Sequence, residues 1–193
     1  MARKFGIAAI GMGAALLLTA LLLLWYNHRE DADAGEASRT LMEDIELSIA
    51  EGSAEESDSE DDLPVVWIDG YDYIGYLEIP SIDRTLPVMA EWDYQRLRLS
   101  PCRQFGSVET NDLVIAAHNY DSHFGRLKEL AEGAEVVFTD MEGTITRYAV
   151  TQSSILQPDE VDAVQNSGHD LVLYTCTKGG KTRVTVFCDR VQE

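Results

Sequence analysis

Leu171-Val-Leu-Tyr-Thr-Cys176-Thr-Lys-Gly-Gly-Lys-Thr-Arg183 is the stretch on which the fold turns. Leu171 to Tyr174 read as a short buried strand, and Gly179-Gly180 marks a tight turn before a second β-rich run, Thr182 to Cys188. Such a hairpin places Cys176 and Arg183 on neighbouring strands, with the thiol at a strand end. Free cysteine is among the most buried residue types. The hairpin alone therefore leaves both packing and nucleophilic chemistry open for Cys176.

Working outward, Asp112-Leu-Val-Ile-Ala-Ala-His118-Asn-Tyr120 repeats the design: an apolar run that ends in one reactive side chain. Further β-rich runs lie at Asp72 to Ile79, Thr85 to Met89, Glu135 to Thr139, Thr144 to Thr151 and Thr182 to Val191. Their spacing predicts an all-β sandwich or barrel. Short helical interruptions are expected at Tyr94 to Leu99, Phe124 to Glu132 and Pro158 to Gln165.

The 193 residues carry a net charge of −19, spread unevenly. Residues 1–26 contribute +2, residues 27–63 contribute −12 and residues 64–193 contribute −9. Binding to nucleic acid or to anionic lipid is excluded, because phosphate neutralisation needs clustered Lys and Arg. Phe5 to Tyr26 contains no charged residue, and at about 1.5 Å per residue a helix of that length covers a hydrocarbon core of about 30 Å. Arg3 and Lys4 precede it and acidic residues follow, which predicts a cytoplasmic N-terminus and an exported remainder. A signal peptide is disfavoured, since Leu21 to Tyr26 offers no small-x-small cleavage site. Residues 27–63 read as a self-repelling, solvated stalk, with one amphipathic island at Leu41, Ile45 and Ile49. No Cys-x-x-Cys pair or calcium-loop spacing indicates a metal. Cys102 and Cys188 are expected either as separate buried thiols or as a bonded pair.

A thiol of ordinary pKa about 8.5 becomes a competent nucleophile when an imidazole stabilises its thiolate and returns the proton to a leaving amine. A guanidinium can then donate to the oxyanion. Cys176, His118 and Arg183 supply that set, although each residue alone also suits a structural role. Arg190 competes for the arginine position, but its separation of seven from Arg183 turns it to the opposite strand face. His28, His123 and His169 fall in the stalk or in polar loops and are expected to take no catalytic part.

The Leu-Val-Leu-Tyr-Thr-Cys176 run followed by Thr-Arg183-Val-Thr-Val, with Ala-Ala-His118-Asn upstream and Ile-Gly-Tyr-Leu-Glu-Ile-Pro80 at the opening, resembles a sortase over roughly residues 71–191. Sortases are membrane-anchored cysteine transpeptidases of Gram-positive bacteria. The resemblance implies a closed eight-stranded β-barrel after a transmembrane helix and acidic stalk. It divides the chain into 1–4 (cytoplasmic), 5–26 (membrane span), 27–63 (extracellular linker) and 64–193 (catalytic domain). It further implies His118, Cys176 and Arg183 as catalytic residues and Thr175 as a residue lining the site, with no cofactor. The substrate would be a surface protein with a Leu-Pro-x-Thr-Gly-like sorting signal. The acceptor would be an amine of a cell-wall precursor or a pilin lysine. Ile155 and Leu156, in the segment that would read the motif, are candidate contacts for its leucine and proline. The connection from Thr151 to Asp170 is too short for the inserted helix of class B, and Trp67-Ile-Asp-Gly-Tyr71 is a poor match to an aspartate-aromatic lid. A class D-like or unclassified member is expected. The alternatives are a secreted cysteine hydrolase that performs no transfer and a non-catalytic surface binding module.

Overall fold

The structure, a computed structural model, describes residues 2–55 and 63–191, with side chains from residue 10 onward. The chain divides into two units, 1–33 and 34–193. Helix α1 runs Ala2–Glu51, and its apolar part is long enough to cross a membrane.

Nine strands follow in the second unit: β1 (Val66–Ile68), β2 (Tyr71–Ile79), β3 (Arg84–Met89), β4 (Cys102–Phe105), β5 (Leu113–Ala117), β6 (Glu135–Asp140), β7 (Ile145–Leu156), β8 (Leu171–Cys176) and β9 (Arg183–Arg190). Eight of them close on themselves in the order β2-β3-β4-β5-β8-β9-β7-β6, because β2 pairs with both β3 and β6. The expected eight-stranded barrel is therefore present. β1 is an addition that takes over the β2 edge where β6 leaves it. The β1–β2 turn is Asp69-Gly70, both at positive φ (50° and 92°), as a tight two-residue hairpin requires. The Trp67 segment is thus a fixed hairpin. At Gly75 a Cβ would lie 2.0 Å from the Thr139 carbonyl oxygen, so only glycine lets β6 approach there.

The interior holds Leu77, Ile79, Leu86, Val88, Ile115, Phe138, Tyr148, Leu173 and Val186, each buried. β5 is buried along its whole length, because its outward residues are covered as well as its inward ones. This is why its sequence is apolar without alternation. On the outer face, Leu41 and Ile45 of α1 pack with Tyr73, Met89, Cys102 and Ala116. The buried positions of α1 are Ala34, Ser38, Leu41, Met42 and Ile45, the spacing of one helical stripe.

That stripe corrects the reading of residues 27–63 as an extended, solvated stalk. From Ala34 to Glu51 the chain is helical and belongs to the barrel's unit, since its apolar stripe gains more from burial than the acidic face loses in solvent. The amphipathic island was the visible part of it. Residues 56–62 of the acidic run lie outside the described residues. Short helical turns occupy Arg96–Arg98 and Leu127–Glu129, and α2 is Asp162–Gln165, within the three expected interruptions. Cys102 and Cys188 are unbonded and fully buried in different clusters. Of the two options left by the sequence, separate buried thiols is the one found.

Candidate active site

The β8–β9 hairpin carries the site. Its ladder runs without a bulge from Leu171↔Cys188 to Cys176↔Arg183. Beyond that last pair, the Thr177 N–H donates to the Thr182 carbonyl at 2.9 Å, and the two hydroxyls meet at 2.9 Å. Hydrogen-bonded and non-hydrogen-bonded pairs alternate in an antiparallel ladder. Cys176 and Arg183 therefore form the close, non-hydrogen-bonded kind, with Cα atoms about 4.5 Å apart.

Strand parity decides which way these residues face. Leu171 and Leu173 fill the barrel, while Val172 and Tyr174 pack outside it. Cys176 therefore faces outward. On β9, Val186 and Cys188 are interior and Phe187 is exterior, which puts Arg183 on the same outer face. β5 runs parallel to β8 and pairs Ala117 with Thr175. His118, one residue further, is level with Cys176. Two side-chain bonds tie the strand ends on either side of this level: Thr175 Oγ1 donates to the Ala117 carbonyl at 2.8 Å, and Asn119 Nδ2 to the Thr177 carbonyl at 3.5 Å. The His118 ring stacks on Tyr120, with centroids 4.9 Å apart and planes 29° apart.

Arg183 Nη1 donates to the carbonyls of Gly180 and Thr182, both at 3.2 Å. The Gly179-Gly180 turn, at φ +90° and +71°, exposes those carbonyls to it. One nitrogen of the guanidinium is thus anchored at the turn. Beside it a cavity of about 240 Å³ opens on the outer face, walled by Leu156, Tyr174, Val164, Trp92, Tyr94 and Arg183. Burial pushes the Tyr174 phenol up to about 12, with the Arg183 charge acting the other way. It is a neutral hydroxyl at physiological pH.

Of the residues expected to touch substrate, Leu156 lines this groove, opposite Arg183 in the β7–β9 ladder. Thr175 is buried beneath it. Ile155 is exposed and is not part of its wall. The sequence reasoning missed Trp92, Tyr94 and Tyr174 as wall residues; Tyr174 could have been found from its spacing of two from Cys176. Arg190 sits at the far end of β9 and donates to the Val108 carbonyl at 2.7 Å. His169 pairs with Asp189 at 2.8 Å. His123, expected in a polar loop, is instead fully buried, because the α1 segment covers it with Ser38.

A closed β-barrel that carries a cysteine, a histidine and an arginine together on its outer face defines a class of protein, and comparison gives the class its name. The sequence matches the family described as Sortase domain over residues 77–191. The chain belongs to the sortase family.

Its structure is similar to sortase A from Corynebacterium diphtheriae, with a TM-score of 0.58, 22% identity, and coverage of 64% of this chain and 62% of that one. The match thus spans less than two thirds of that relative's length. Streptococcus pneumoniae sortase C gives a TM-score of 0.56 at 24% identity, covering 63% and 70%. Sortase C-1 from Actinomyces oris gives 0.55 at 25%, covering 62% and 74%. No curated protein matches the sequence.

Proposed function

We propose that the protein is a transpeptidase acting on a Leu-Pro-x-Thr-Gly-like C-terminal sorting signal of surface proteins. The observation that supports this most is the Cys176↔Arg183 ladder pair with His118 level on the adjoining parallel strand. In this reading the Cys176 thiolate adds to the Thr-Gly carbonyl carbon, and Arg183 donates to the resulting oxyanion and to the substrate. Collapse of the tetrahedral intermediate breaks the C–N bond, and His118 protonates the departing glycine amine. A thioester to Cys176 remains. An amine from a cell-wall precursor or a pilin lysine attacks it, loses its proton to His118, and leaves a new amide and a free thiol. Leu156, with the aromatic wall of the groove, contacts the apolar part of the signal. Thr175 acts from below by tying the β5 and β8 ends together.

Phe5 to Tyr26 is the membrane span in this reading, with residues 1–4 cytoplasmic and the barrel outside the cell. The catalytic unit then begins at Ala34 and not at residue 64.

The test is an assay on a fluorogenic sorting peptide with and without an amine acceptor. Cleavage with formation of a ligated product is expected, and Cys176→Ala should lower the rate by at least about 10⁴-fold. Release of the acid alone, whatever amine is present, would make the protein a hydrolase. Full activity in Cys176→Ala would overturn the thiol mechanism, and absence of any cleavage by the unsubstituted protein would leave only a binding role.

A further inference from the structure

His118 lies one residue past the end of β5. The loop that follows is closed tightly on itself. The Phe124 N–H donates to the His118 carbonyl at 3.2 Å, and the Tyr120 carbonyl accepts from His123 at 3.0 Å and Gly125 at 2.8 Å. A Cβ at Gly125 would lie 2.7 Å from that same carbonyl oxygen, so the closure depends on glycine there. This brings the Tyr120 ring against two imidazoles: it stacks on His118 at 4.9 Å and meets His123 at 5.6 Å and 51°. His123 is fully buried, and its Nε2 lies 3.4 Å from the hydroxyl of Ser38, itself 3% exposed on the α1 segment that covers the barrel. Ser38 Oγ is also 3.5 Å from the Leu99 carbonyl. A contiguous series of contacts therefore runs from α1 to the imidazole beside Cys176.

We propose that Tyr120 is a positioning residue for His118, braced by its contact with His123 and, through Ser38, by the Ala34–Glu51 segment of α1. The inference rests on the reading of His118 as the acid–base residue. A histidine ring has broad, shallow torsional preferences. Proton transfer needs a donor–acceptor distance of about 2.6–3.2 Å along a defined direction. An aromatic face stacked on the imidazole restricts its rotation through the ring face and not through the edge that carries the nitrogens. Tyr120 thus acts through orientation, and its hydroxyl is not required. Ser38 acts at one further remove and should matter less.

The experiment uses the full-length chain in detergent micelles and measures kcat and KM for peptide cleavage with an amine acceptor. Tyr120→Leu is expected to lower kcat about tenfold with KM within about twofold, because substrate contacts are untouched while the acid is misplaced. Tyr120→Phe, which keeps the ring, should retain kcat within about twofold. Ser38→Ala should lower kcat alone by about two- to threefold. A second measurement needs no substitution: the imidazole protons of His118 should resonate upfield of those of a solvated histidine, through the ring current of Tyr120.

His118→Ala separates the two levels of the argument. Should His118→Ala be active, the acid–base reading itself fails. An inactive His118→Ala beside a Tyr120→Leu variant of unchanged kcat would overturn the positioning role alone, as would His118 resonances without the upfield shift.

Discussion

Over β2, β3 and β4 the outer face of the barrel is closed by Ala34–Glu51, whose Leu41 and Ile45 seal Tyr73, Met89 and Cys102 from water. Over β8, β9 and β7 the cover among the described residues is lighter, the four-residue α2 with its flanking loop and the Trp92–Tyr94 segment, leaving a groove of about 240 Å³ lined by Tyr174, Leu156 and Val164. The outward residues of β7 and β9 mix apolar with polar, Leu156 and Phe187 beside Ser154, Thr185 and Arg183, whereas the other side presents Tyr73, Met89 and Cys102; the cover differs as well. One side closes its apolar surface with a helix and gains stability, whereas the other keeps part of its surface accessible as a groove. Tyr174 packs against both outer clusters. The boundary between the stable side and the open side therefore falls within two residues of Cys176.

Substitutions on the two sides should separate cleanly into losses of rate and losses of stability. The largest expected effect is on the open side. Arg183→Ala should lower kcat by about 10²–10³-fold, the usual loss for an oxyanion donor, with the midpoint of thermal unfolding nearly unchanged, since the residue is half-buried at a turn. Arg183→Lys should recover only part of that, because a single ammonium cannot both hold the turn carbonyls and reach the oxyanion. A drop in stability as large as the drop in rate would erase the distinction between the sides.

Ile45→Ala is the converse case on the covered side. Ile45 is fully buried, and removing three carbons from such a site costs about 2–5 kcal/mol. The unfolding midpoint should fall while kcat per folded molecule holds. Cys102 reports the same event chemically. Burial pushes its thiol up to about 12. In the folded protein at pH 8 it is therefore neutral and slow to alkylate, since only the thiolate attacks. Ile45→Ala should speed its alkylation, measured by mass spectrometry of the Cys102 peptide.

Thr175→Val tests the seam between the two sides. The variant keeps the shape but removes the 2.8 Å bond to the Ala117 carbonyl, at a cost of about 1–2 kcal/mol. Because that bond aligns the strand ends bearing Cys176 and His118, kcat should also fall several-fold with KM unchanged. A rise in KM alone would instead return Thr175 to the role of a direct substrate contact.

The open side was the more legible of the two in the sequence. Leu171 to Tyr174 and Leu113 to Ala117 are apolar without interruption because they are buried on both faces, and each ends in a polar, reactive residue. β4 was missed because Cys-Arg-Gln-Phe has no alternation to detect: a bulge between Arg103 and Phe105 breaks its register. The covered side was misjudged for a related reason. Fourteen acidic residues between 27 and 63 dominate any average over that segment. The stripe of Ala34, Ser38, Leu41, Met42 and Ile45 includes one serine and one alanine, so hydrophobicity alone showed only its second half. The burial of His123 was not legible in the sequence either, since it involves Ser38, 85 residues away.

The smallest effect belongs to the rim of the groove. Trp92 and Tyr94 meet edge to face at 5.7 Å and remain 40% and 75% exposed, so neither contributes much to folding. Their rings nevertheless form the wall facing Leu156. If the groove seats the apolar residues of a sorting signal, Tyr94→Ala should raise KM about three- to tenfold, the value of one aromatic contact of about 0.5–1.5 kcal/mol, and leave kcat and the unfolding midpoint unchanged. The double variant with Leu156→Ala sharpens the test. Two residues that contact the same bound peptide should lose less together than the sum of their separate losses, whereas walls that never share a ligand should add. A KM unchanged in both single variants would place the peptide elsewhere on the open side, and the comparison between the two faces would then rest on Arg183 and Cys176 alone.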